Sequence, residues 1–330
     1  MHTRAAILTP LALALTLAAG CTSPVGHRAG EQPGMRFDNV LLEADAAIES
    51  GDREEAIRLL AAAIEVRPAY VPAYAKLGEL QLEGADYPGA ERTYSSLVRL
   101  EPRVFDHQYF HALALHHLDR LAEAVRAYLR ALAIDPRSFD AHLNLSTAYL
   151  QLAEHAQSLP YARKAVEIDP ESGRAWANLG AALGAFGSRD TDLEAVRAFE
   201  NAAELMDITP ELLANWATAL GRLGRYREMI NTLERSLAIQ PTAYAHERIG
   251  YARFKLREFD AAQDAFRSAI DIDPAYHPAL NGLGVCLLND YIASEKTDNA
   301  AKREAIEHLR QSLRVENNQP RIVDLLSRFG

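Results

Sequence analysis

The chain has 330 residues, 45 of them acidic and 35 basic, for a formal net charge of −10 at pH 7. That sign argues against a nucleic-acid ligand and against a basic patch that holds anionic lipid. Of the two cysteines, Cys21 closes an N-terminal leader and only Cys286 follows it, so no intrachain disulfide is expected and stability must come from apolar burial.

The leader comes first. Arg4 precedes an apolar run from Ala5 to Ala19, interrupted by Thr9, Pro10 and Thr16, and Gly20 and Cys21 follow it. A positive start, a short apolar core and small residues before a cleavage point predict a signal peptide over residues 1–20. The run is shorter than the ~20 residues that a membrane-spanning helix needs. The stretch "LAAGC", from Leu17 to Cys21, resembles the lipobox of bacterial lipoproteins, although Ala18 stands where that motif usually has leucine. The resemblance implies lipidation at Cys21 and contact with the membrane through that lipid alone. With Thr22 rather than aspartate next, it implies an outer membrane facing a periplasm. The alternative is an ordinary signal peptide cleaved at the same place, with the chain secreted or at the cell surface. Residues 21–36 are rich in Pro, Gly and Ser and read as a flexible tether, reaching on the order of 20 Å by random-coil scaling.

From Phe37 onward the sequence repeats. Pro68, Pro102, Pro136 and Pro170 fall 34 residues apart, each closing a segment such as "AIEVRP" or "ALAIDP". A fixed period of that length marks one supersecondary unit copied along the chain. In the copy over 71–102, Tyr74, Leu77, Gly78 and Gln81 keep one helical period, and Tyr87, Ala90, Tyr94 and Leu97 keep another. A Gly-Ala-Asp turn joins these two amphipathic helices into a hairpin. Gly78 and Ala90 are small where the helices cross, Leu77, Tyr94 and Leu97 fill the space between hairpins, and Pro102 stops the second helix. The small residue of the first helix recurs as Ala44, Ala112, Ser146, Gly180, Ala217, Gly250 and Gly284. Its partner in the second helix recurs as Ala56, Ala124, Ser158, Ala195, Met229, Ala262 and Ala305.

This pattern resembles the tetratricopeptide repeat, with eight copies over residues 37–317 starting near Phe37, Val71, Phe105, Phe139, Gly173, Pro210, Ala243 and His277. The resemblance implies an all-α, right-handed superhelical solenoid whose first helices line a concave groove. Three departures carry expectations of their own. In the fourth copy, Pro160 predicts a second helix that starts late. The fifth has extra residues around 188–192, and the eighth has a longer polar insertion over about 291–303; both are expected as edge loops. Over residues 318–330, Ile322, Leu325, Leu326 and Phe329 form the stripe of a capping helix.

Groove positions then suggest function. The first two copies contribute Asp45, Glu49, Glu79 and Glu83, an acidic end. The middle contributes the small residues Thr147, Ala181, Gly184, Ala185 and Thr218. The sixth and seventh copies contribute Arg222, Arg248 and Lys255 with Tyr244 and Tyr251, a basic, aromatic end. Such a gradient suits an extended peptide, although exposed helix charges also occur as plain solvated faces. Asn144, Asn178 and Asn215 hold one place in three consecutive copies, and an amide can pair with either side of a peptide backbone. The tetratricopeptide region of O-linked N-acetylglucosamine transferases uses an asparagine ladder in this way; hydrogen bonding to neighbouring repeats is the alternative.

A histidine cluster (His107, His111, His116, His117, His142 and His155) raises a metal-dependent or enzymatic alternative, because His107 and His111 share a helix face at a spacing that zinc sites use. No third ligand sits convincingly, and His111 fills the slot of Leu77, Leu145 and Leu179, so the expectation is a packed histidine, no cofactor and no enzyme. No phosphate loop, nucleophile elbow or matched catalytic cysteine is present. Cys286 reads as a buried small hydrophobe. The reading is a lipid-tethered adaptor or scaffold for proteins or peptides of the cell envelope, similar in architecture to lipoproteins that chaperone pilus secretins or scaffold peptidoglycan enzymes. A self-associating structural protein is the remaining alternative.

Overall fold

A computed structural model describes residues 37–330, so the expected signal peptide, Cys21 and tether lie outside the described residues. These residues fall into two compact units, divided in the sequence between Arg120 and Leu121. The first contains α1 (Phe37–Glu49), α2 (Arg53–Val66), α3 (Val71–Glu83), α4 (Tyr87–Leu100) and α5 (Phe105–His117). The second runs α6 (Leu121–Ile134), α7 (Phe139–Gln151), α8 (His155–Ile168), α9 (Gly173–Phe186), α10 (Arg189–Leu205) and α11 (Pro210–Arg222). It continues through α12 (Tyr226–Ile239), α13 (Ala243–Lys255), α14 (Phe259–Ile272), α15 (His277–Ala293), α16 (Asn299–Val315) and α17 (Pro320–Phe329). Among the described residues there is no strand, and no helix is long and apolar enough to cross a membrane.

Each unit is a stack of antiparallel helical hairpins. The turn inside each hairpin places one residue in the left-handed region: Gly51, Ala85, Ala153, Gly187, Gly224 and Arg257, with Glu295 and Lys296 in the last, and Asp119 after α5 has the same conformation. Asp52, Asp86, Ser188 and Asp298 then cap second helices by accepting from backbone N–H groups two or three residues on. Ser138, Ser172, Thr209 and Thr242 do the same for first helices.

The small positions are buried in every copy, and two of them show why. A Cβ on Gly180 would lie 2.6 Å from the Phe199 ring, and one on Gly78 would lie 2.8 Å from the Tyr94 ring. Tyr94 therefore fills the interior of its own hairpin as well as meeting Phe110 of α5 at 5.4 Å between ring centroids. In the fourth copy the small pair is Ser146 and Ser158, both fully buried, with hydroxyls 2.9 Å apart.

That serine pair corrects one expectation. α8 starts on schedule at His155 and carries Pro160 inside it. A late start would unseat Ser158, whose hydroxyl also donates to the Ser146 carbonyl at 3.1 Å. Pro160 and Ala156, whose carbonyl loses its helical partner, are both exposed, so water satisfies that group.

The expected edge loops are also corrected, because most of the extra residues are helical. α10 has 17 residues against 14 in α4, and Ser188 and Thr191 close a capping box at its start. α15 continues through Tyr291 to Ala293, and α16 begins at Asn299, so the loop shrinks to residues 294–298. The segment "NAAKREA" is built of strong helix formers behind an Asp298 cap, so helix wins over loop.

In the second unit α7 touches α9, α9 touches α11 and α13 touches α15, whereas no second helices of neighbouring hairpins make comparable contact among the described residues. First helices thus sit on the inner side of this stack. α17 packs Ile322, Leu325, Leu326 and Phe329 onto the final core cluster.

Candidate functional site

The candidate face is the inner side of α9, α11 and α13. Residues on it couple one hairpin to the one before by a repeating rule. Asn178 receives a hydrogen bond from Ser146 Oγ at 2.5 Å and donates to Thr147 Oγ1 at 2.9 Å. In the first unit, Lys76 occupies the matching place and donates to Asp45 at 2.6 Å, again 31 residues back. The three predicted asparagines are therefore not equivalent. Asn178 spends one N–H and one lone pair inside the protein, Asn144 is part-buried and engaged, and Asn215 is exposed with no side-chain hydrogen bond among the described residues.

The predicted cations also divide. Arg222 is held by Asp192: Nε lies 2.8 Å from Oδ2 and Nη2 lies 2.5 Å from Oδ1. The same Nη2 donates to the Gly184 carbonyl at 2.6 Å. Asp192 is only 2% exposed, and its hydrogen bond raises the Arg222 pKa further. Sequence reasoning missed Asp192, which sits 30 residues before its partner on a second helix; the one signal was an acid in the extra residues of the fifth copy. Part of the centre formed by small residues is occupied by this guanidinium, which lies over Gly184.

Arg248 takes the ladder position in the next hairpin and stands over Gly221, with Nη2 3.7 Å from where a Cβ would be. Its guanidinium carbon is 4.9 Å from the Tyr251 ring centroid, and Lys255 Nζ is 5.4 Å from the same centroid. Neither cation has a salt bridge among the described residues, and Arg248 Nε is buried without a hydrogen-bond partner. Tyr244 and Thr218 bring their hydroxyls to 3.1 Å. Burial raises the Glu247 carboxyl pKa despite the adjacent Arg248, and burial chiefly pushes the Tyr276 phenol up to about 12. Asn215, Thr218, Tyr244, Arg248, Tyr251 and Lys255 thus share one part of α11 and α13. The acidic set lies on α1 and α3 of the first unit, where Glu49, Glu79 and Glu83 are exposed and Asp45 is paired.

The histidines have local roles. His142 Nε2 donates to the Pro136 carbonyl at 3.0 Å. Tyr74, Gln108 and Trp176 make the same bond to Pro68, Pro102 and Pro170, at 3.2, 3.0 and 2.8 Å. Four chemically different donors, each six residues after a closing proline, therefore tie the turn to the next helix. In the eighth copy Leu280 cannot donate, and Gln311 of α16 serves Pro274 instead at 3.0 Å. His107 Nδ1 lies 3.4 Å from the Glu101 carbonyl, His111 lies 3.7 Å from Glu91, and His117 stacks on Tyr87 at 4.1 Å. Among the described residues no three His, Cys, Asp or Glu side chains are placed to hold a metal ion. Cys286 is fully buried, and burial pushes its thiol up to about 12.

The fold and this face define a helical-hairpin repeat protein. Tetratricopeptide-repeat family models match residues 47–115, 112–152, 139–172, 215–277 and 248–313, together more than half of the sequence, and the chain belongs to that family. It is 33% identical over 107 residues to small glutamine-rich tetratricopeptide repeat-containing protein 2 of Mycosarcoma maydis, a match covering 32% of this chain. The chain spans only 30% of that relative's length. A chain of the APC/C hetero-tetramer Cut9–Hcn1 is similar with a TM-score of 0.55 at 19% identity, over 90% of this chain and 57% of that one. A tetratricopeptide repeat protein from Parabacteroides merdae gives 0.54 at 19% identity, over 77% of this chain and all of that one. These solved structures speak to the fold.

Proposed function

We propose that this chain is an adaptor, tethered to a membrane through a lipid on Cys21, that holds an extended segment of a partner protein on the inner face of α11 and α13. Its work is the assembly or upkeep of a cell-envelope complex, at an outer membrane facing the periplasm, and it binds rather than catalyses. One observation carries the binding reading. On a face whose other polar groups pair with each other, Asn215, Arg248 and Lys255 have no salt-bridge or hydrogen-bond partner among the described residues, and the two cations flank the Tyr251 ring. Unspent donors beside an aromatic ring suit backbone carbonyls and side chains of a peptide. The leader and the cysteine that ends "LAAGC" support the tether.

The test compares wild type with an Asn215→Ala/Tyr251→Ala variant after reversible crosslinking in cells. The reading expects one discrete partner with wild type and its loss with the variant, at equal helical content. Equal recovery from both would move the binding site elsewhere. In the same cells Cys21→Ser should shift the chain from the membrane to the soluble fraction; continued membrane association would remove the lipid tether.

A further inference from the structure

α1 lacks a neighbour that every later first helix has. Among the described residues, α3, α5 and their later sisters each pack against the second helix before them, and nothing precedes α1. The consequence is visible at three places on one side of the helix. Asn39, Glu43 and Ala46 are exposed, whereas their counterparts Ala73, Leu77 and Leu80 are buried, as are Ala175, Leu179 and Ala182 in the fifth copy. Leu42 and Glu49 lie on the same side and are exposed too, Leu42 to 66%. The uncovered face is thus two apolar side chains with a carboxylate at either end.

A second helix covers these places in every other copy, and α16 is a second helix with an unused face. Opposite its buried Ala301, Ala305, Leu309 and Ser312, exposed Arg303, Arg310 and Arg314 surround half-buried Ile306 and line one hollow. Glu307 shares the hollow and leaves it net positive. The nearby Glu304 is engaged by Arg267 and His308 instead. The two ends of the chain differ in charge accordingly: residues 37–66 hold eight acids and two bases, residues 299–330 six bases and four acids. Spacing agrees as well, since Glu43 and Glu49 stand about 9 Å apart along α1 and Arg303 and Arg310 about 10 Å apart along α16. We infer that α1 of one copy docks antiparallel on α16 of a second copy. Glu49 then meets Arg303, Glu43 meets Arg310, and Leu42 and Ala46 cover Ile306. Two α1 faces cannot serve each other in this way, because their carboxylates would be opposed. The contact is heterologous, so it joins copies head to tail. It uses none of the residues assigned above to peptide binding, so either reading can fail alone.

Charge exchange between two differently tagged full-length copies, coexpressed and co-purified in detergent, tests this. Wild-type copies should co-purify, and less so at high salt, which screens exposed charges. Two copies of Glu43→Arg/Glu49→Arg should co-purify at least about tenfold less, and so should two copies of Arg303→Glu/Arg310→Glu, because like charges then face each other. One copy of each should recover the wild-type yield, since every contact between them is again of opposite sign. Equal helical content in all variants shows that folding is not the cause. Wild-type copies that do not co-purify, like-charged pairs that co-purify as wild type does, or a mixed pair without recovery would each overturn the inference.

Discussion

Replacing Arg222 with Met should destabilise the second unit by about 2–3 kcal/mol. The estimate starts from about 3–5 kcal/mol for breaking a buried ion pair from one side. Asp192 meets that condition at 2% exposure, but Arg222 is 37% exposed, so water reaches the vacated space and lowers the figure. Asp192→Asn should cost less, about 1–2 kcal/mol, because the freed guanidinium can turn to solvent while the amide still accepts one hydrogen bond. The two changes should not add, with a coupling of about 1–2 kcal/mol in the double variant. Urea unfolding followed by fluorescence reads the right helices, since the chain's two tryptophans, Trp176 and Trp216, sit on α9 and α11, the helices that Arg222 joins through the Gly184 carbonyl. A loss below about 0.5 kcal/mol for Arg222→Met, the range of an ordinary surface change, would refute the claim that the pair locks these hairpins together.

His142→Gln should leave stability near wild type, because Gln108 makes the same bond to a proline carbonyl, whereas His142→Leu should cost about 0.5–1.5 kcal/mol for the lost hydrogen bond. Equal effects of Gln and Leu in thermal unfolding would deny that turn bond its role. Ala153 has a φ of 58°, so Ala153→Gly should stabilise by about 0.5–1 kcal/mol, with relief of left-handed strain outweighing glycine's added chain entropy. A lower melting temperature would count against it. The Cys286 thiol, pushed up to about 12, stays protonated throughout the neutral range and should resist thiol reagents at pH 8 until urea unfolds the chain. Prompt labelling of the folded protein would contradict its burial.

What the sequence reveals and what it hides divide along physical lines. Packing that depends on residue size repeats visibly, so Gly78, Gly180 and their sister positions disclose the hairpin crossings, and the stripe from Ile322 to Phe329 discloses the last helix. Interactions that depend on donor chemistry do not repeat as letters. Tyr74, Gln108, His142 and Trp176 do one job with four side chains, and only their common offset from a proline could have exposed it. Charge pairing is hidden further, because Asp192 and Arg222 meet through the fold and not through any local spacing. This is why groove cations that look alike in sequence separate into spent Arg222 and unspent Arg248 and Lys255. The extra residues of the fifth and eighth copies misled for a different reason: polar composition suggests loops, but Ala, Glu, Lys and Arg behind a cap extend helices.

On the proposed reading, the inner face of α11 and α13 holds the partner. A photoreactive amino acid placed at 215 or 251 in cells tests it most directly, with Asp264, exposed on second helix α14, as the control position. The same single adduct is expected from 215 and 251, and none from 264. An adduct from 264 with none from the other two would contradict it.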